Sequence, residues 1–230
     1  MVVITDLVTA HFAWYSGNPA HYFVPTPEIK DTGIKLGIPP NNIEVTGLPV
    51  SLRFKPKKST SSLNQLNNLT TILLMGGGQG LGKLYSIAKS LNTANLPIKL
   101  IVVAGRNPKL ELKLKSINWH IPVEIYGFTK EIPDLMLKSD ILLTKAGPST
   151  ICEGLVSGLP IILYDYLKGQ ETASVDYLVK NHAGLYYPTP EKIVSGLQNI
   201  QLDQLIKSAK LLAQPEASLN IARGLYKLVS

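Results

Sequence analysis

The sequence predicts an α/β fold with a doubly wound, Rossmann-like parallel sheet. Apolar runs of strand length alternate with helix-length segments from Thr70 to Tyr187, and this alternation is typical of parallel sheets with helices on both faces. The run Ile98–Ala104 is rich in β-branched residues, as a buried parallel strand requires. Polar or glycine-rich segments follow several of these runs, so we expect their loops to meet at one edge of the sheet.

The composition limits the function classes. The chain has 230 residues, is 45% hydrophobic and carries a net charge of +7, which permits a sizeable core and a surface suited to nucleotide diphosphate, anionic lipid or nucleic acid. No recognised motif supports nucleic-acid binding, and aromatic residues are sparse. No apolar run approaches the roughly 20 residues of a membrane span, and Met1–Asp6 lacks the features of a signal peptide. The single cysteine, Cys152, excludes an internal disulfide and is expected in the core.

The first fifty residues predict a smaller α/β unit. We expect strands at Val2–Ile4, Tyr22–Val24 and Ile43–Thr46, with a helix at Pro27–Leu36. The polar, lysine-containing stretch Arg53–Asn68 predicts a linker, either a solvated hinge or a segment that touches anionic lipid headgroups. The predicted units are therefore 1–52, a linker at 53–69, and 70–230.

A glycine-rich segment, Gly76–Lys83, follows the predicted strand Thr70–Met75. Glycines after a strand let backbone N–H groups approach a phosphate, although a plain tight turn is the alternative. The dinucleotide pattern fails because Leu81 occupies its last glycine position, and the P-loop pattern fails because Leu84 replaces the hydroxyl that would hold magnesium. The sequence therefore predicts phosphate contact and disfavours NAD and ATP chemistry. The residues assigned to that contact are Gly77, Gly78, Gln79 and Gly80.

The segment Thr144–Gly154 predicts a loop that opens into a helix between two buried strands. Pro148 suits the first helical turn, and Ser149 and Thr150 are predicted to cap backbone donors that attract anions. Glu153 lies one turn further on, where it would accept hydrogen bonds from ribose hydroxyls or remain a solvated helix residue. After the next strand, Gly169-Gln170-Glu171 is predicted to stand beside Glu153 and bind a sugar.

These segments resemble the family of monogalactosyldiacylglycerol synthases and diacylglycerol glucosyltransferases, which is of the glycosyltransferase family 28 type. The resemblance rests on Thr144–Glu153, Gly158–Leu163 and Gly169–Glu171, with looser similarity at Thr5–Leu7 and Val45–Val50. The family has a two-domain GT-B fold whose C-terminal domain binds a UDP-sugar. No part of the chain resembles the first half of the family's N-terminal domain. We therefore expect a partial N-terminal domain, because the chain is a fragment, a truncated reading frame or one piece of a split protein.

The resemblance implies transfer of a hexose from a UDP-sugar to diacylglycerol, with inversion. No cluster of metal-ligating residues in the sequence requires a metal, and we expect no cofactor. His11 or Asp6 would assist the acceptor. Arg106 would lie near a phosphate, with a surface ion pair as the alternative, and Phe128 would lie near the uracil, with a core position as the alternative. The implied donor site comprises Gly77, Gly78, Gln79, Gly80, Arg106, Phe128, Gly147, Pro148, Ser149, Thr150, Glu153, Gly169, Gln170 and Glu171.

A second function class stays open from the sequence. A non-catalytic nucleotide-sugar-binding subunit would need a partner chain to supply the rest of the N-terminal domain. In either case we expect peripheral contact with an anionic membrane lipid surface, on the cytoplasmic side, and no nucleic-acid partner.

Overall fold

The computed structural model describes residues 1–17, 19–56, 69–78 and 83–229. Within these ranges the strands form two parallel sheets, one of three strands in the order β1-β2-β3 and one of six in the order β6-β5-β4-β7-β8-β9. We call them the small sheet and the large sheet. The strands are β1 (Val2–Val3), β2 (Tyr22–Val24), β3 (Ile43–Val45), β4 (Thr70–Met75), β5 (Ile98–Val103), β6 (Val123–Tyr126), β7 (Ile141–Lys145), β8 (Ile161–Asp165) and β9 (Gly184–Tyr186).

The order of the large sheet confirms the predicted doubly wound fold. The chain moves outward from β4 through β5 to β6, then returns to the other side of β4 and continues through β7, β8 and β9. The direction therefore reverses between β4 and β7, and ligands of open α/β sheets bind in the crevice that such a reversal opens at the carboxyl ends of the strands.

Helices cover both faces of the large sheet. The helices of the described residues are α1 (Pro27–Lys35), α2 (Leu84–Thr93), α3 (Pro108–Lys115), α4 (Ile132–Lys138), α5 (Pro148–Val156), α6 (Thr172–Lys180), α7 (Pro190–Gln198), α8 (Leu202–Leu212) and α9 (Ala217–Val229). Of these, α1 packs against the small sheet, where Ile29 joins its core. Successive residues of β4 alternate between the two faces: Leu73 belongs to one core cluster, while Ile72 and Leu74 belong to the other. No described helix combines the length and hydropathy that a bilayer crossing needs.

The small sheet gives the first predicted strand a partner. β1 pairs in parallel with β2, with Val2 opposite Tyr22.

The first residues of the predicted linker are packed against the larger unit, since Phe54 is buried in the core of the large sheet and Arg53 forms an ion pair with Asp134 at 3.4 Å. Residues 57–68, most of the predicted linker, lie outside the described ranges.

The last helix packs on a different sheet from the two helices that precede it. α7 and α8 do contribute Ile193 and Ala209 to the two cores of the large sheet. α9 instead reaches the small sheet, where a Cβ on Gly224 would come within 2.5 Å of the Phe23 ring. The hydroxyl of Ser218 also donates to the Val50 carbonyl, 2.6 Å away. The first and last parts of the chain are therefore packed together.

Candidate functional site

The loops after β7 and β8 lie side by side at the carboxyl edge of the large sheet. The register of the two strands shifts between Thr144 and Lys145, and the Ala146 N–H donates to the Asp165 carbonyl at 2.9 Å. Such irregularities are common beside functional sites because they change the direction of a strand end. A Cβ on Gly147 would lie 3.9 Å from the Glu171 carboxyl Oε1, which places the two predicted sugar-side loops in contact.

The N-terminus of α5 points backbone donors toward this edge. Pro148 is the first helical residue, as predicted, and Gly147 is the N-cap. No side chain caps the helix at this position, so the prediction that Ser149 and Thr150 act as caps is wrong. The physical reason is that Pro148 begins the helix, so Ser149 and Thr150 lie within its first turn and the cap falls on Gly147, a residue without a side chain. The first-turn amides and the positive end of the helix dipole therefore suit an anion.

Glu153 lies in the second turn of the same helix and is partly buried. Burial raises the pKa of its carboxyl to about 7, because the charged form loses hydration. This environment does not match the alternative of a freely solvated helix residue. The neighbouring Cys152 is buried as expected, and burial, followed by the nearby Glu153 charge, raises the pKa of its thiol to about 12.

The three predicted residues of the loop after β8 have different environments. Glu171 is buried, and its Oε2 accepts a hydrogen bond from the Leu167 N–H at 2.7 Å. Gly169 has a φ of +86°, and its N–H donates to the Thr172 hydroxyl at 3.1 Å. Gln170 remains exposed. Glu171 thus holds the loop in shape, and Gln170 presents its amide to solvent.

The glycine-rich segment packs on the loop that follows β5. The Gly78 carbonyl accepts a hydrogen bond from the Arg106 N–H at 2.8 Å. Gly105 has a φ of +63°, and a Cβ there would lie 2.7 Å from the same Gly78 oxygen, so this close approach requires glycine. Gly77, with a φ of +75°, turns the chain just before. Gln79 and Gly80 lie outside the described residues.

Arg106 and Phe128 form a pair at the end of the neighbouring strands. The Arg106 guanidinium carbon lies 4.3 Å from the centroid of the Phe128 ring, a cation–π arrangement. Phe128 is 53% exposed, which excludes the alternative of a core position. The two side chains together present a cation and an aromatic face beside the glycine-rich segment.

A cleft of about 480 Å³ separates the two sheets, and residues of both line it. Asp6 and His11 follow β1 of the small sheet, and Gly169 and Gln170 follow β8 of the large sheet. The structure therefore brings the two predicted catalytic residues to the predicted sugar-side loop, although 158 or more residues separate them in sequence.

Asp6 and His11 have different hydrogen-bonding capacities in this cleft. Asp6 Oδ2 accepts a hydrogen bond from the Trp14 indole N–H at 2.7 Å. His11 Nδ1 accepts one from the Ala13 N–H at 3.2 Å, because His11 caps the short 3-10 helix Phe12–Tyr15. A neutral His11 therefore carries its proton on Nε2 and presents a donor to the cleft.

The sequence predicted no role in the site for Trp14. A partly buried indole N–H needs an acceptor, and Asp6 was the nearest acidic residue in sequence. The need of the indole N–H for an acceptor could therefore have indicated the contact between Trp14 and Asp6. Among the described residues, no group of three or more His, Cys, Asp or Glu side chains is arranged to hold a metal ion.

Comparison with known proteins connects this geometry to a family. Residues 71–228 match the family model described as glycosyltransferase family 28 C-terminal domain, and residues 1–50 match the model for monogalactosyldiacylglycerol (MGDG) synthase. A probable MGDG synthase, chloroplastic, of Glycine max is 37% identical over 245 residues, which covers 99% of this chain and 46% of that protein. The MGDG synthase, chloroplastic, of Spinacia oleracea is 38% identical over 99% of this chain and 47% of its own length. The chain spans about half the length of the curated relatives it matches.

Solved structures confirm the predicted GT-B-type fold. MurG of Acinetobacter baumannii superposes with a TM-score of 0.73 at 18% identity, over 98% of this chain and 65% of its own. HepE of Anabaena, solved in complex with UDP-glucose, gives a TM-score of 0.55 at 15% identity, over 94% of this chain and 66% of its own. At these identities the likeness concerns the fold alone. The family-model match covers more than half of the chain, and the protein therefore belongs to glycosyltransferase family 28.

Proposed function

We propose that this protein transfers a hexose from a UDP-sugar to the hydroxyl of diacylglycerol, with inversion at the anomeric carbon. The observation that carries the proposal is the cleft in which Asp6 and His11 of the small sheet face Gly169 and Gln170 of the large sheet. The acceptor is taken from the curated relatives, which are named as MGDG synthases. The non-catalytic alternative has no observation in its favour.

The donor would lie along the carboxyl edge of the large sheet. The diphosphate would accept hydrogen bonds from the first-turn amides of α5 and from the backbone of the Gly77–Gly78 turn. The ribose hydroxyls would donate hydrogen bonds to Glu153. The uracil would lie near Phe128, and Arg106 would point toward the phosphates. The hexose would contact Gln170. Glu171 would act through the loop that it holds, and Gln79 and Gly80 remain predicted phosphate contacts.

The chemistry follows from the two hydrogen-bonding arrangements in the cleft. Asp6 is oriented by Trp14 and would accept the proton of the acceptor hydroxyl, while the Nε2–H of His11 would donate to substrate. The acceptor oxygen would form its bond to the anomeric carbon as the bond from that carbon to UDP breaks. Backbone donors and the α5 dipole would stabilise the leaving diphosphate. We propose no metal ion or cofactor for this step.

The acceptor implies contact with a membrane. The net charge of +7 favours an anionic lipid surface, and we propose peripheral association on the cytoplasmic side. The relatives carry the designation chloroplastic, which is a property of those proteins.

Isothermal titration with UDP tests the donor site directly. We expect the purified chain to bind UDP, Glu153→Ala to lose binding, and the control Asp176→Ala, an exposed acid on α6, to keep it. A sugar-transfer assay with added membranes follows. A folded chain that fails to bind UDP contradicts the proposal, and UDP binding without any transfer favours the non-catalytic alternative.

A further inference from the structure

A second space lies between the small sheet and the helices of the large sheet. This apolar cavity has a volume of about 260 Å³. It is bounded on one side by the segments that follow β1, β2 and β3, and on the other by α5, α6, α8 and the turn after α8. Most of the side chains that line it are apolar, including Leu7, Leu48, Leu155, Val156, Leu211 and Leu212.

The lining of the apolar cavity selects an apolar ligand. None of the residues that line it carries an ionised side chain at neutral pH, and three have polar side chains, namely Thr26, Tyr177 and Gln214. The Thr26 hydroxyl already donates to the Leu7 carbonyl at 3.0 Å. A phosphate or sugar would therefore lose its hydration there without equivalent partners, which is costly. An engineered apolar cavity of about 150 Å³ is enough to bind benzene, and this one is larger.

The apolar cavity adjoins the reaction cleft. Leu7 in its wall directly follows Asp6, and Cys152 in its wall directly precedes Glu153. The cleft itself has Asp6, His11 and Gln170 in its lining. The polar cleft and the apolar cavity are therefore lined by neighbouring residues of one segment, Asp6 and Leu7. This pairing complements an amphiphile with a hydroxyl-bearing head and a hydrocarbon tail.

We propose that the apolar cavity binds one acyl chain of the lipid acceptor and thereby places the acceptor hydroxyl beside Asp6. This inference rests on the proposed function for the identity of the acceptor. The binding energy comes from removal of hydrocarbon from water, so affinity depends on the acyl chain and not on the glycerol head.

Cys152 offers a direct report on the apolar cavity, because it lines the space and is the chain's single cysteine. We would measure its modification rate with methyl methanethiosulfonate, a small neutral thiol reagent, in the folded chain at about pH 9, because the thiolate is the reactive form and burial raises the pKa of this thiol. Dioctanoylglycerol at about four times its dissociation constant should slow the reaction about fivefold, because only the ligand-free fraction reacts. Glycerol at the same concentration should have no effect. Equal rates with and without dioctanoylglycerol would overturn the inference.

A pair of exposed leucines provides matched variants. Leu211 lines the apolar cavity and is 76% exposed, whereas Leu112 on α3 is 69% exposed and lies outside its lining. Leu211→Glu places a charge at the opening and should abolish protection by dioctanoylglycerol, while Leu112→Glu should retain it. Protection that survives in Leu211→Glu would show that the lipid acts elsewhere and would also overturn the inference.

UDP titration of the same samples separates the two proposals. UDP binding without acyl protection refutes the acyl site and leaves the donor site standing. Acyl protection without UDP binding supports the apolar site and counts against the proposed transferase function.

Discussion

The two walls of the cleft are built in different ways. On the large-sheet side, the loop that lines the cleft is held by the buried carboxylate of Glu171, which accepts from the Leu167 N–H. The glycine-rich segment of the same sheet is held by the Arg106 N–H, which donates to the Gly78 carbonyl. The wall from the small sheet depends on a short 3-10 helix whose first residue, Phe12, is 70% exposed. A preformed wall binds ligand without a large ordering cost, whereas a sparsely held wall can adjust. The difference is consistent with the proposed donor on the large-sheet side and the proposed lipid acceptor on the small-sheet side.

The sharpest way to test this comparison is to change the acid on the small-sheet side. Asp6→Asn keeps an acceptor for Trp14 but removes the proposed base, so we expect the transfer rate to fall by about 10²- to 10⁴-fold. UDP affinity should not change, because the donor contacts lie on the other wall. Rate and titration measured on one preparation check both statements. Asp31→Asn on α1, an exposed acid, is the matched control, and an unchanged rate in Asp6→Asn would remove Asp6 from the mechanism.

On the large-sheet side, Gly105→Ala tests whether the donor wall is preformed. The methyl group would meet the Gly78 carbonyl at 2.7 Å with φ at +63°, so we expect the free energy of unfolding to fall by about 2 kcal/mol or more. UDP affinity should fall with it. Gly17→Ala has a similar φ of +90° but nothing within 4 Å, and it should cost about 1–2 kcal/mol without affecting UDP. Urea unfolding and titration measure both quantities. Equal effects from the two variants would show that the contact is unimportant.

A smaller effect concerns pH. Because burial raises the pKa of Glu153 to about 7, its ionised fraction rises about tenfold from pH 6 to pH 8. If the carboxylate accepts the ribose hydroxyls, UDP affinity should rise by up to that factor. Glu153→Gln should lose the dependence, and it also corrects for titration of the terminal phosphate of UDP, which is expected near pH 6. A wild-type profile identical to that of Glu153→Gln would contradict the assignment.

The same carboxyl predicts the sign of a stability change. Its pKa lies above the ordinary value of 4.5 in the folded chain, so the folded state holds a proton that the unfolded state has released. The free energy of unfolding should therefore fall as pH rises from about 4.5 to about 7. Denaturant titrations at several pH values measure this free energy. In Glu153→Gln it should fall less steeply with pH between about 4.5 and about 7 than in the wild-type chain.

The sequence predicted local structure better than it predicted contacts. The strand at Thr70–Met75 and the proline start of α5 follow from apolar runs and from the fixed φ of Pro148, and both were confirmed. The caps assigned to Ser149 and Thr150 failed because the helix begins at Pro148, which places both residues inside the first turn and leaves Gly147 as the cap. The stacking of Arg106 on Phe128 depends on two loops 22 residues apart in sequence, which no local pattern encodes.

The sequence predicted which residues belong to the candidate site, but it did not predict how their side chains contact one another. Acids and amides after strand ends indicated the large-sheet wall, since parallel strands end at one edge. The capping role of His11, the bond from Trp14 to Asp6 and the apolar cavity arise from packing between the two sheets. Sequence periodicity is silent about such packing because it describes one element at a time.

The contact of α9 with the small sheet has a consequence for biosynthesis. The strands β1, β2 and β3 leave the ribosome well before Ser218 and Gly224, which pack against Val50 and Phe23. At a translation rate of about 5–20 residues per second, the small sheet waits roughly ten seconds or more for its cover. During that interval its apolar face is open to aggregation or to a chaperone, while the large sheet can already assemble from sequential β–α units.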